Sequence, residues 1–86
     1  MLGSCYKKKF DGGCQFDSGK MYGYKYQGLS LEACYRKCAE YSRCGEFKTG
    51  KVGGGYAGEC MLYDGDCTQE TKWNLAKHVA MYKMTC

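Results

Sequence analysis

Between Ser30 and Cys44 the chain reads SLEACYRKCAEYSRC, and within it Leu31, Cys34, Tyr35 and Cys38 recur at i, i+3, i+4 and i+7. That period gathers four side chains on one stripe of an amphipathic helix, which must face a core. Ser30 stands where an N-cap belongs, its hydroxyl able to accept a backbone N–H of the first turn, and Glu32 sets negative charge at the positive end of the helix dipole. The Cβ vectors of Cys34 and Cys38 run nearly parallel, so each reaches for a partner elsewhere. Unbroken helix from Cys38 to Cys44 would part them by roughly 9 Å along the axis, too far for a disulfide, whose Cα atoms lie about 4.4 to 6.8 Å apart. If those two pair, the helix ends near Tyr41.

The other segments are read as strands and turns, with period-two alternation clear in one of them and poor in Cys5 to Phe10. Cys5 to Phe10 reads as a short first strand closed by Asp11, Gly12 and Gly13, and Asp17, Ser18 and Gly19 make another turn. Met21 to Tyr26 sets Tyr22, Tyr24 and Tyr26 against Met21, Gly23 and Lys25, an aromatic strand pattern. Gln27 and Gly28 break it before the helix. Glu46 to Thr49 and Glu59 to Tyr63 read as a hairpin around a loop with Gly50, Gly53, Gly54, Gly55 and Gly58, hence a mobile tip. Asp64, Gly65 and Asp66 form the next turn. Thr68 to Ala76 is polar connection with one helical turn around Trp73 as an option, and His78 to Met84 closes the chain as a strand. The order of elements predicts an α+β domain, one helix packed on an antiparallel sheet, and no internal repeat is visible.

Length sharpens this picture. A chain of 86 residues makes one domain, and at that size folding buries only about 60 to 65% of the unfolded surface. Eight cysteines fit a disulfide scaffold of an oxidising compartment, so a secreted or extracellular setting is expected. Neither a signal-peptide pattern nor an apolar run near the roughly 18 residues of a membrane span is present, which reads as an excised module. Met1 to Ser4 are set aside as linker or tag residues, leaving a single domain over 5–86. The formal net charge is +4. Lys7, Lys8 and Lys9 in a row, with Arg36 and Lys37 on the helix, form either a solvated face or a patch that steers acidic partners. Thirteen glycines and nine tyrosines without proline suit a loop-rich β structure, and tyrosine also suits binding surfaces.

The residues offer little for bond-making chemistry. Zinc wants paired C-x2-C or matched histidines, whereas here the helix spacings are C-x3-C and C-x5-C with a single histidine. Asp64, Asp66 and Thr68 imitate the start of a calcium loop, but its twelfth position is Leu75 and not a bidentate glutamate, so a β-turn explains them. No nucleophile turn surrounds Ser4, Ser18, Ser30 or Ser42, His78 reads as an ordinary strand residue, and an even cysteine count fits full pairing with no thiolate left. The expectation is a non-enzyme without cofactor or metal. Nucleic acid is disfavoured by the small net charge and the compartment. Tyr22, Tyr24 and Tyr26 form either a ligand platform or a row packed under the helix, and Trp73 is either a cap over the core or an exposed anchor. Candidate recognition surfaces are the Gly50 to Gly58 loop, with Tyr56, and the Lys7, Lys8, Lys9 run.

The pattern LEACYRKC, then Cys44 with Phe47 as C-x2-F, then Cys60 with Leu62 and Tyr63 as C-x-L, resembles a PAN or apple domain, over essentially the whole span from Cys5 to Cys86. The nearest likeness is to the tandem apple modules of apicomplexan, Eimeria-type microneme proteins. The resemblance implies a helix on a curved antiparallel sheet with bridges Cys5 to Cys86, Cys34 to Cys60 and Cys38 to Cys44. Cys14 and Cys67 depart from that three-bridge pattern and would pair with each other. It further implies a non-enzymatic extracellular adhesion module for a host-cell surface protein or glycan, one repeat of a protein held in a secretory organelle such as the microneme and used in host-cell attachment and invasion. The alternative it leaves is an assembly module docking other domains of its own parent chain. Ligand surfaces vary between family members, so no binding residue carries over.

Overall fold

Strand pairing divides the side chains of this protein between two dissimilar faces of one sheet. The computed structural model describes residues 5–15, 21–69 and 75–86. The expectations for Met1 to Ser4, the Asp17 to Gly19 turn, Trp73 and the side chains of Tyr22 and Tyr24 lie outside what it describes. In chain order the elements are β1 (Tyr6–Asp11), β2 (Met21–Tyr26), α1 (Leu31–Ala39), β3 (Glu46–Gly50), β4 (Cys60–Tyr63), a 3-10 turn (Leu75–Lys77) and β5 (Val79–Met84). The strands form one antiparallel sheet in the order β1-β5-β3-β4-β2. Among the described residues no helix is long and apolar enough to cross a membrane.

Register decides what each face contains, because alternate residues of a strand point to opposite sides. The rows Leu62–Phe47–Tyr82–Lys8 and Tyr26–Cys60–Thr49–Ala80–Asp11 lie under α1. The rows Lys25–Met61–Lys48–Met81–Phe10 and Tyr63–Glu46–Lys83–Lys7 lie on the far side. In β1 the partner jumps from Lys8↔Tyr82 to Phe10↔Met81, so Lys9 is an extra, bulged residue.

The helix starts as its cap demands: Ala33 N–H donates to Ser30 Oγ at 3.1 Å. It ends at Ala39, two residues short of Tyr41, and a turn in which Cys44 N–H donates to the Tyr41 carbonyl then carries Cys44 back. Cys38 and Cys44 thereby come to a Cα separation of 5.3 Å and bond. Cys34 and Cys38 are fully buried, while Leu31 and Tyr35 flank them half-buried. Under the helix, Phe47 stacks on Tyr82 with ring centroids 5.4 Å apart, and Tyr6 meets Phe47 edge-on at 5.7 Å. Burying side chains such as Phe47 and Leu62 supplies about 1.5 to 3 kcal/mol each.

Four disulfides make up for the thin core. Cys34–Cys60 fastens α1 to β4, Cys38–Cys44 closes the helix exit, Cys5–Cys86 joins the open ends of β1 and β5, and Cys14–Cys67 lies on the far side. Three of these are the bridges that the resemblance implies and the fourth joins the two cysteines that depart from its pattern, and four bridges suggest an extracellular or secreted protein. On the far side Cys67 packs with Tyr63 and Met81 in a second, smaller apolar cluster flanked by Phe10, Cys14 and Met61. His78 departs from the sequence reading: it sits in the turn before β5, not within the strand.

Candidate functional site: the 51–59 loop and the far face of the sheet

The loop between β3 and β4 is wound against its neighbours, where the sequence suggests a mobile tip. Lys51 N–H donates to the His78 carbonyl at 2.7 Å, Gly54 N–H to the Lys51 carbonyl at 3.0 Å, and Glu59 N–H to the Tyr56 carbonyl at 3.0 Å. At the centre, Gly55 N–H donates to His78 Nδ1 at 2.9 Å. The Tyr56 ring stands edge-on to the imidazole at 5.9 Å. A Cβ on Gly50 would collide with the Tyr56 carbonyl, so glycine there lets the loop fold back on its own strand. The winding leaves Val52 and Tyr56 as the exposed large hydrophobic residues among those described.

A concavity lies on each side of this loop. Toward the helix, an apolar groove of about 460 Å³ runs between Leu29, Leu31, Thr49, Ala80 and Tyr82. On the far face, a smaller cavity of about 180 Å³ is bounded by Lys25, Lys48, Tyr56, Glu59, Met61 and Val79. Its floor is charged. Glu59, only 8% exposed, takes Lys25 Nζ on one oxygen at 3.3 Å and Lys48 Nζ on the other at 3.1 Å. Each carboxylate oxygen carries one lysine, and each ammonium keeps further N–H donors.

The run Lys7, Lys8, Lys9 does not form a single basic patch. Lys7 is exposed on the far face opposite Lys83. Lys8 belongs to the helix-side row and pairs with Asp11. The bulge turns Lys9 inward, where its Nζ meets Glu46 Oε2 at 2.7 Å and donates to the Cys67 carbonyl at 3.0 Å. Glu46 also accepts the N–H of Asp66 at 2.9 Å and of Cys67 at 3.3 Å, so Lys9 and Glu46 together pin the 64–67 turn to the sheet. Lys9 is thus spent on structure. Asp11 also receives Lys51 Nζ at 2.8 Å. Hydrogen bonds from Lys51 and then Lys8 hold the Asp11 carboxyl below its ordinary range, and the bond to Asp11 raises Lys8. Tyr63 is pushed up to about 12, by burial first and by the charge of Glu59 second.

Asp64 and Asp66 belong to a turn in which Asp66 has φ 61° and Gly65 φ 145°. Among the described residues no group of three or more His, Cys, Asp and Glu side chains is placed to hold a metal ion. Of the tyrosine row, Tyr26 is half-buried beside the helix, its hydroxyl 3.1 Å from that of Tyr41 and its ring under Lys37 Nζ at 5.3 Å.

Lys25, Lys48, Glu59 and His78 escaped the sequence reading as site residues. Strand parity carried the signal for three of them: Lys48 lies between the inward Phe47 and Thr49, Lys25 precedes the inward Tyr26, and Glu59 precedes the inward Cys60. All three therefore point to the far face. Compared with known proteins, the chain gives no significant match to any family model, curated protein or solved structure.

Proposed function

We propose that this domain is a PAN or apple module acting as a non-enzymatic extracellular adhesion unit, one repeat of a microneme protein, which contacts a host-cell protein or glycan. The observation that carries the reading is the wound 51–59 loop, which presents an exposed Tyr56 from a scaffold locked by bridges on both faces. Holding an aromatic contact in place before binding lowers the entropy cost of association. The PAN or apple assignment draws support from a helix bridged to the sheet at Cys34–Cys60 and to its own exit at Cys38–Cys44, and from the terminal bridge Cys5–Cys86, whose Cα atoms lie 5.1 Å apart. Ends held that close suit a bead within a tandem array.

The test is binding of the fluorescently labelled domain to cultured epithelial cells and to a glycan array. Saturable binding is the expected result. Binding to fragments of its own parent chain alone would replace adhesion by assembly, and binding to none of these would remove both.

A further inference from the structure

We propose that the far-face cavity beside the loop binds an acidic side chain of an extended peptide segment, its carboxylate seated between Lys25 and Lys48 and its neighbours packed on Tyr56 and Met61. The inference rests on the adhesion reading and names the chemistry of the ligand.

Charge stoichiometry is the starting point. Two ammonium groups share the single carboxylate of Glu59, and Lys48 does so with a side chain only 15% exposed. A cation held that far from water gains from a second anion, because charged groups are costly to desolvate unless paired. The wider far face has the same sign: its strand residues Lys7, Lys9, Lys25, Lys48 and Lys83 stand against Glu46 and Glu59. Such a face steers acidic partners.

The hydrogen-bond inventory favours an anion over a neutral sugar. A hydroxyl-rich ring wants acceptors as well as donors, and each oxygen of Glu59 already carries a lysine, which leaves the carboxylate only part of its accepting capacity. What remains on offer from the lysines is donor capacity only, which calls for an acceptor, and a carboxylate is the strongest one a protein presents. A polysulfated saccharide would meet the lysines equally well, but it has nothing apolar to place against the thioether of Met61 and the exposed ring of Tyr56. A glutamate stem and an apolar neighbour fit both. The cavity, about 180 Å³, falls below the roughly 300 to 1,000 Å³ of sites for drug-sized ligands. It suits one side-chain head.

The experiment is an NMR titration of the 15N-labelled domain at low salt with an end-capped peptide Gly-Val-Glu-Val-Glu-Val-Gly, its Gln-for-Glu counterpart and a heparin octasaccharide. The expected result is saturable shifts of the Lys25, Lys48 and Tyr56 amides with the Glu peptide and none with the Gln peptide. Lys25→Gln, at a largely exposed position that leaves Lys48 on Glu59, should weaken that binding roughly tenfold. Lys7→Gln, on the same face but away from the cavity, should change it less than twofold. No shifts with the Glu peptide, or shifts centred on Lys7 and Lys83, would overturn the proposal. So would an octasaccharide that saturates the Lys25 and Lys48 amides where the Glu peptide does not. Should labelled wild-type and Lys25→Gln domains bind cells equally while the peptide fails to titrate, the cavity proposal falls and adhesion stands. Titration without any cell binding gives the reverse.

Discussion

The two faces of the sheet solve the same burial problem by different means. Under the helix, apolar and aromatic groups exclude water: Phe47, Leu62, Cys34, Cys38 and Cys60 are fully buried, and two of the four bridges run through them. On the far face a smaller apolar cluster of Tyr63, Cys67 and Met81 is joined by charged side chains buried in pairs: Glu46 with Lys9, and Glu59 with Lys48 and Lys25. A small domain can complete its second face with ion pairs beside a small apolar cluster, provided each carboxylate finds partners. The concavities differ in the same way: the groove on the helix side is apolar, while the far-face cavity keeps ammonium donors to spare, which is what the proposed recognition uses.

The largest test of this contrast compares bridges. Loop entropy ranks Cys14–Cys67, with a sequence separation of 53, above Cys34–Cys60, with 26, but a doubling of loop length is worth only about 0.6 kcal/mol. Cys34 and Cys60 are both fully buried, so replacing them adds cavity losses to a loop term of about 3 to 4 kcal/mol. The pair Cys34→Ala, Cys60→Ala should therefore lower stability more than Cys14→Ala, Cys67→Ala does, by about 1 to 2 kcal/mol in urea unfolding. The opposite order would mean that chain entropy, not burial under the helix, dominates.

Glu46→Gln comes next. It leaves Lys9, with a side chain 27% exposed, without its counter-charge, and should cost about 2 kcal/mol, below the 3 to 5 kcal/mol of a wholly buried broken pair. Lys9→Met in the same background should recover part of the loss. If Glu46→Gln is neutral, the far face is not held by its ion pairs.

Tyr63 gives a pH-dependent check. Its folded-state value of about 12, against 10 for the unfolded phenol, means the folded chain keeps a proton that the unfolded chain has lost. The stabilisation is complete below pH 10 and disappears as pH rises through 12, amounting to about 2 to 3 kcal/mol. A tyrosinate absorbance titration should show a late step near 12 that Tyr63→Phe removes. The smallest effect is expected at exposed Asp11. Its carboxyl is lowered by Lys51 and Lys8, so its contribution is present above the ordinary aspartate value and fades as pH falls through the lowered one. Asp11→Asn should flatten that acid limb slightly, a change visible in thermal melts below the ordinary aspartate value of about 3.9.

The helix face was legible in the sequence because one period recorded it. Leu31, Cys34, Tyr35 and Cys38 announce a stripe, and Ser30 and Glu32 announce its start, since capping is a local property. The α+β class and the strand positions followed from β character between turn residues, with clear alternation in Met21 to Tyr26 alone. The far face was hidden for a physical reason: its charged residues look solvated one at a time, and only cross-strand register brings Lys48 and Lys25 onto Glu59. Three consecutive lysines read as one patch until a bulge in β1 turns Lys9 against Glu46. His78 was read as a strand residue because nothing local marks it as the acceptor for Gly55, which lies 23 residues earlier.

The central claim is that recognition belongs to the loop and its far-face cavity, not to the lysine run. It is tested most directly by cell-binding isotherms of the folded domain carrying Tyr56→Ala, set beside those of Lys7→Ala. Tyr56 is half-exposed on a wound loop, and loss of a central aromatic contact costs about 2 kcal/mol or more. The account predicts affinity at least roughly tenfold weaker for Tyr56→Ala and within twofold of wild type for Lys7→Ala. Equal losses, or a larger loss for Lys7→Ala, would contradict it.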